Sequence, residues 1–271
     1  MVLPLLMRRT APMLVAFAVA AQPPEVVEGR LRNGIRVLLV ERPGSGMIRA
    51  GLFFRGGCAD TGGLPPVAAT LLARAMFTEL RPEDLGPQPE LDALLERADH
   101  LRESLRVEEL RSGRIPGAPG PDEHRRSLEA SLRDTLARTA PWTTAPDRPD
   151  LLDLLGAVRR EVSVEPDALA SSLDLPAPAL AAWADLEQRR LRALRLARLP
   201  RVRQDLDAEE AAHDPAEALL LESALPGLPY GRVRESGRQA GVLLADLKAH
   251  GREALSPSRL AIVLVGDLKS A

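Results

Sequence analysis

Few side chains in this chain have types and spacings that suit chemistry. The sole cysteine, Cys58, excludes an internal disulfide framework and any multi-cysteine zinc site. It has no histidine in a recognisable nucleophile motif, so it reads as a small residue near a turn. The four histidines are His100, His124, His213 and His250. His213 and Glu217 stand four apart, the spacing of a metal pair on one helix face. Asp214 and Pro215 beside them mark instead a solvated helix start. No G-x-x-x-x-G-K-[ST] phosphate loop and no Ser-His-Asp pattern is present. The densest charge feature is Arg189, Arg190, Arg192, Arg195, Arg198, Arg201 and Arg203, interleaved with Leu191, Leu194 and Leu199. It reads either as a surface for an anionic membrane or partner, or as a solvated helix face whose arginine stems cover core.

These residues sit in 271 residues, enough for one large domain or two small ones. Hydrophobic residues are 45% and charged residues 27%, an ordinary globular balance. A net charge of -2 disfavours nucleic acid as a partner. Aromatics are only 3%, so leucine and alanine must carry the core. At the N-terminus, Arg8 and Arg9 precede an apolar run over 11–20 that ends in Ala18-Val19-Ala20, the order of a secretory signal with an A-x-A cleavage pattern. The run is too short to span a bilayer. A buried helix, or a start at Met7, is the competing reading. We expect residues 1–20 to be a signal peptide and the mature protein to be periplasmic or extracellular, without membrane association.

Beyond Pro23-Pro24, residues 26–40 read as two strands around an Asn33-Gly34 turn. Residues 47–55 form a third strand closed by Gly56-Gly57. Residues 64–80 have helical apolar spacing through Val67, Leu71, Leu72, Ala75 and Met76. The stretch 81–149 reads as an insertion of two charged helices joined by a Gly/Pro tip, or as a partly disordered segment. Strands follow at 162–164 and 169–175, then helices over 177–199, 209–224 and 242–255, and a buried strand over 260–265 ending at Gly266-Asp267. The mixture lacks a regular βαβ rhythm. It predicts an α+β fold, a mixed and mostly antiparallel sheet packed against helices.

Six segments, in order, resemble the N-terminal half of the insulinase/pitrilysin metallopeptidase family. Leu31-Arg32-Asn33-Gly34-Ile35-Arg36-Val37 resembles its L-x-N-G-hydrophobic-x-V opening hairpin. Ala50 through Gly57 is similar to its second strand and G-[GS] turn. Leu71-Leu72 and Met76-Phe77 match the H-L-L-E-H-M-x-F helix in frame. Leu175-Pro176, Leu180, Trp183, Leu186-Glu187 and Arg190-Leu191 resemble its L-P-x-x-x-L-x-x-W-x-x-L-E-x-x-R-L segment. Leu228-Pro229-Tyr230-Gly231-Arg232 resembles H-P-Y-G-R, and 260–267 the closing V-V-V-G-D strand.

The resemblance implies a half-clamshell domain over 25–271, with its junction to a second half just past Asp267. It also implies a zinc site, and here this sequence departs. In frame, the two histidines of H-x-x-E-H are Thr70 and Arg74, and the water-activating glutamate is Ala73. Thr is a poor zinc ligand, Ala takes no proton, and Arg puts a fixed positive charge at the cation's place. The distal zinc glutamate falls near Ala208 or Glu209. The family's peptide-capturing edge strand corresponds to 156–164, with Glu161 at its Asn position, followed by Val162, Ser163 and Val164.

We therefore expect a catalytically inactive homologue with no metal and no cofactor. It forms a homodimer, or a heterodimer with a zinc-competent insulinase-family subunit, and binds peptide along Glu161, Val162, Ser163 and Val164. Its partner face is expected from the helices around Arg74 and the closing strand near Val263. The alternatives are a stand-alone binding or scaffold module and a decayed gene product. N-terminal sequencing of protein recovered from cell fractions is expected to begin after Ala20 in the exported fraction. An intact terminus at Met1 or Met7 in the cytosol contradicts this.

Overall fold

The computed structural model describes residues 25–112, 123–143, 149–211, 220, 223–224 and 242–270. Six strands form one sheet: β1 (Val26–Arg30), β2 (Arg36–Glu41), β3 (Met47–Arg55), β4 (Val158–Val164), β5 (Ala168–Pro176) and β6 (Leu260–Gly266), in the order β1-β2-β6-β3-β5-β4. Only β2 and β6 run parallel; every other pair is antiparallel. The expected α+β class and mostly antiparallel sheet are observed.

The β1–β2 turn is closed by the Gly34 amide donating to the Leu31 carbonyl and the Leu31 amide donating to that of Ile35. Gly34 has φ +87°, while Asn33 is not left-handed. This is a three-residue loop with glycine in the left-handed position, so the Asn-Gly pair does not form the two-residue turn that needs both residues left-handed. The last strand inserts between β2 and β3, and the hairpin β1–β2 joins the sheet only through it. Asp267, just past β6, accepts from the Gly44 and Gly46 amides (3.1 and 3.3 Å) and so fixes the β2–β3 loop.

Alternation along β3 divides the sheet into two faces. Ile48, Ala50, Leu52 and Phe54 are buried beneath α1 (Val67–Phe77), whose Leu71, Leu72, Ala75, Met76 and Phe77 complete one core. Arg49, Gly51, Phe53 and Arg55 occupy the opposite face. Gly57 is required by a close approach: a Cβ there would lie 1.9 Å from the Glu165 carbonyl oxygen, so the turn before β5 is held by a residue without a side chain.

The segment 81–149 contains α2 (Pro89–Ser112), α3 (Glu123–Ala137) and α4 (Ala140–Thr143). The first part of α2 lies in the body. Leu91 and Leu95 join the main core, and the Asp99 carboxylate accepts from the Leu244 amide (2.7 Å) at the start of α8 (Leu244–Ala254). That bond supplies the N-terminal cap that Leu243, an apolar residue, does not. The rest of α2 pairs with α3. The Gly/Pro tip lies outside the described residues.

The expected helix over 177–199 is in fact two. After a short turn at Ala177–Ala179, α6 (Leu180–Ala193) ends at Leu194, which is left-handed (φ 42°) and returns its amide to the Arg190 carbonyl. A second helix, α7 (Leu199–Ala211), starts with Pro200 in its first turn, where its missing amide is harmless. The start of the helix expected over 209–224 is the end of α7, and most of the remainder lies outside the described residues.

The arginine run also departs from both readings made from the sequence. Arg190 is 2% exposed. Its guanidinium engages both oxygens of Glu187, donates to the Met76 carbonyl (3.0 Å) and lies 5.0 Å from the Phe77 ring centroid. Met76 is in the last turn of α1, so Arg190 satisfies a carbonyl that the helix itself leaves unpaired. Arg198, 5% exposed, pairs with Glu79 and Asp84. Arg195 pairs with Asp92 of α2. Arg203 donates to the Val242 carbonyl, and burial, with like charge from Arg102, pushes its guanidinium down to about 10. Arg189 and Arg201 are exposed with helical partners Asp185 and Asp205. The buried members are fasteners between elements rather than a solvated or membrane-facing surface.

Removing one partner of a buried ion pair leaves the other charged and desolvated. Arg190→Leu is therefore expected to cost about 3–5 kcal/mol in urea unfolding. Replacing Glu187 as well, in Arg190→Leu/Glu187→Leu, is expected to recover part of that loss. A single variant within about 1 kcal/mol of the parent would contradict the fastening role.

Candidate functional site

The α1 helix carries the three positions at which the resemblance places zinc chemistry. It starts after Pro65-Pro66, with the Ala68 amide donating to the Pro65 carbonyl. Its buried residues run almost all round: Ala68, Ala69, Leu71, Leu72, Ala73, Ala75, Met76 and Phe77. That distribution marks a helix enclosed by the body. Thr70 and Arg74, one turn apart, share the partly exposed stripe, and Ala73 is fully buried.

The body places α1 against β4 and β5 and against α7. From α7, Glu209 reaches back, and Arg74 Nη1 donates to Glu209 Oε1 at 2.6 Å. The hydrogen bond from Arg74 and its charge hold the Glu209 carboxyl below its ordinary range. The structure thus brings together two of the residues singled out from the sequence, the second histidine position and one of the two candidates for the distal glutamate. It joins them as an ion pair. Ala208 has no chemistry to offer.

The donor set does not fit zinc. Thr70 is a weak ligand, Ala73 offers no proton acceptor, Arg74 brings a positive charge, and Glu209 is already engaged by it. Among the described residues no group of three or more His, Cys, Asp or Glu is placed to hold a metal ion. His100 and His124 are exposed on α2 and α3, and His213 and Glu217 lie outside the described residues. His250 is partly buried on α8, and burial lowers its pKa against the opposing negative charges of Asp60 and Glu253. The Cys58 thiol is buried and donates to the Glu165 carbonyl (3.4 Å), and burial pushes its pKa up, away from nucleophilic character.

The second candidate feature, Glu161 through Val164, does lie on an edge strand. β4 pairs only with β5 and is last in the sheet order. Its first part is bulged. Val158 opposes Asp174 and Glu161 opposes Ser172, so one extra residue is accommodated, with Arg159 left-handed at φ 48°. Arg160 leaves the strand to pair with Asp150 and Asp153 at α5 (Leu151–Leu154). The regular edge therefore begins at Glu161. Arg49 reaches from β3 across β5 to Ser172 Oγ (2.9 Å), Asp174 (3.3 Å) and the Glu161 carboxylate (2.8 Å). Glu161 and Ser163 thus share the outer face, and Val162 and Val164 pack against the core.

The two regions expected to form one partner surface are separate. Val263 pairs with Gly51 and Leu38 on the outer face, whereas α1 and Arg74 lie beneath the inner face. The outer face is open at Phe53, which is 40% exposed in the middle of the central strand with its ring over Gly51.

Sequence reasoning missed the Arg190 and Arg198 fasteners. Glu187 and Arg190 stand three apart, a pairing distance on a helix, and that spacing was the available signal.

No protein-family model matches the sequence, and no curated protein is recognisably similar to it. Its fold is that of known peptidase domains. The peptidase M16 inactive domain from Pseudomonas fluorescens aligns with a TM-score of 0.52 at 18% identity over 90% of this chain and 47% of that one. Pitrilysin aligns at 0.54 and 16% over 92% of this chain and 22% of that one. The first half of the periplasmic protease PqqL from Escherichia coli aligns at 0.52 and 14% over 92% and 44%. The architecture is therefore that of an M16 insulinase/pitrilysin half-domain, and the chain spans less than half the length of these neighbours.

The Arg74–Glu209 pair is largely solvated, so Glu209→Gln is expected to cost less than about 1 kcal/mol in urea unfolding at neutral pH. Because the folded carboxyl titrates below its unfolded value, the pair's contribution is present above the ordinary glutamate range. It fades as pH falls through the folded pKa, so parent and variant converge in acid. A gap that widens in acid contradicts the pairing.

Proposed function

We propose that this protein is a non-catalytic insulinase-type half-domain that works as a subunit, partnering either a second copy or a zinc-competent homologue. The observation that carries the reading is the Arg74–Glu209 ion pair. Matched in frame to H-x-x-E-H, Arg74 takes the position of a zinc-binding histidine and Ala73 that of the base, and the pair supports this reading because it engages Glu209 with a cation carried on the chain itself. The neighbour described as an inactive M16 domain is consistent with this reading.

Two surfaces support the partnering role. The outer sheet face carries Leu38, Phe53 and Val263 without a covering helix among the described residues, and an open apolar face favours association. The free side of β4 from Glu161 to Val164 offers backbone groups for an added strand, the mode by which a peptide would bind. Export of the chain fits the periplasmic neighbours, and no helix among the described residues is long and apolar enough to cross a membrane. The segment 81–149 is best treated as an elaboration of the half-domain, anchored by the first part of α2.

Two measurements test the proposal together. Zinc-loaded protein is expected to hold no stoichiometric metal and to cleave no generic peptide, whereas Thr70→His/Ala73→Glu/Arg74→His is expected to gain zinc affinity. Light scattering after size exclusion is expected to show a dimer, or a complex once a zinc-competent homologue is added. Stoichiometric zinc with chelator-sensitive turnover in the unaltered chain overturns the non-catalytic reading. A concentration-independent monomer that ignores the homologue overturns the subunit reading and leaves the stand-alone module or the decayed gene.

A further inference from the structure

A cavity of about 830 Å³ opens between α6, α8 and the inner face of the sheet, away from α1's Thr70 and Arg74. Its floor is apolar, made by Ile35, Leu52, Leu260 and Ile262 where helices leave the β2–β6–β3 end of the sheet uncovered. Trp183 and Leu191 of α6 form one wall. This volume lies within the ordinary range of small-ligand sites, and the apolar floor matches their usual lining.

The rim differs from the floor in its charge. Arg195 and Glu187 are occupied, by Asp92 and Arg190 respectively. Arg192 on α6 and Lys248 and Arg252 on α8 also line the cavity, and among the described residues none of the three has a carboxylate within salt-bridge distance. Lys248 and Arg252 stand one turn apart and so share a face of α8. Among the described residues, Glu96 of α2 is the one unpaired acid on the rim, which leaves the unpaired groups there with an excess of positive charge. Arg192 and Arg252 are exposed and Lys248 is half-buried, so their charges lie at the mouth of the hollow rather than on its floor.

We propose that this cavity binds a small amphipathic anion, a single acyl chain ending in a carboxylate. The chain lies on Ile35, Leu52, Leu260 and Ile262, and the carboxylate meets Arg192, Lys248 and Arg252 at the rim. The apolar part supplies most of the affinity, because its transfer from water scales with the area buried. The cations supply selectivity for the charged end over an uncharged one. The proposal is independent of the subunit reading, since it uses neither the outer face nor the β4 edge.

Dodecanoate, below its micellar range, is the probe. Isothermal calorimetry on the full chain is expected to show saturable one-to-one binding. Trp142→Phe leaves Trp183 as the single tryptophan, and its emission is expected to shift over the same titration. Arg192→Gln/Lys248→Gln/Arg252→Gln, all surface changes, is expected to weaken dodecanoate about tenfold while changing 1-dodecanol little. Ala184→Trp, which adds bulk from an exposed position on the cavity wall, is expected to abolish binding of both. Absence of saturation overturns the proposal. So do equal affinities for dodecanoate and dodecanol, an unchanged affinity in the triple variant, and association seen only with anionic phosphatidylglycerol vesicles and never with the free acid.

Discussion

The placement of α1 depends on one buried cation. Arg190 sits on α6 but makes its decisive contacts elsewhere, with the Met76 carbonyl at the end of α1 and the Phe77 ring beside it. A helix buried on nearly every side has nowhere to expose its last carbonyls to water, so a donor must come from the surroundings. Glu187, one turn back on α6, keeps the donor oriented. Thr70, Ala73 and Arg74 take their positions from that arrangement. Arg198 repeats the device just beyond α1, tying α7's entry to Glu79 and Asp84.

This use of arginine accounts for a core with few aromatics. Leucine and alanine pack the interior but offer no directional contacts, whereas a guanidinium can bond two acceptors and stack on a ring at once. The elements fastened in this way are distant in sequence: Arg190 joins residues 76–79, Arg195 joins Asp92, and Arg203 joins Val242. The sheet has the same long-range character. The opening hairpin is attached only by β6, so β1 and β2 pair with each other but have no strand joining them to the rest of the sheet until nearly the whole chain is in place.

Local pattern was readable where local chemistry decided the outcome. The alternation of Ile48, Ala50, Leu52 and Phe54 marks β3 with its observed bounds, and the Leu71-Leu72…Met76-Phe77 spacing marks the buried face of α1. The helix over 177–199 failed because nothing nearby forbids it until Pro200. Its break at Leu194 follows from tertiary constraints, the turn that carries Arg195 to Asp92 and Arg198 to Glu79. The arginine run was misread for the same reason, since burial of a charge depends on partners more than a hundred residues away. At the candidate site, the identities of Thr70, Ala73 and Arg74 were legible residue by residue. That Arg74 would find Glu209 was not, because the two residues stand 135 positions apart in the chain.

The Arg74–Glu209 pair is the contact through which α1 meets α7 with a charge on each side. A carboxylate on α7 faces α1, and in this chain a cation carried on a side chain neutralises it. A zinc ion would do so at the cost of a precise ligand set, whereas Arg74 does so with one covalently attached charge and tolerates Thr70 and Ala73 beside it. Because the pair is half-exposed, its energetic contribution is small, and the site is free of the strict geometry that chemistry imposes. Around the pair stand the sheet, its outer face with Phe53 exposed, the free edge at β4 and the fastening arginines. An exposed apolar side chain on a sheet face and a free strand edge are features that recognition of another chain uses.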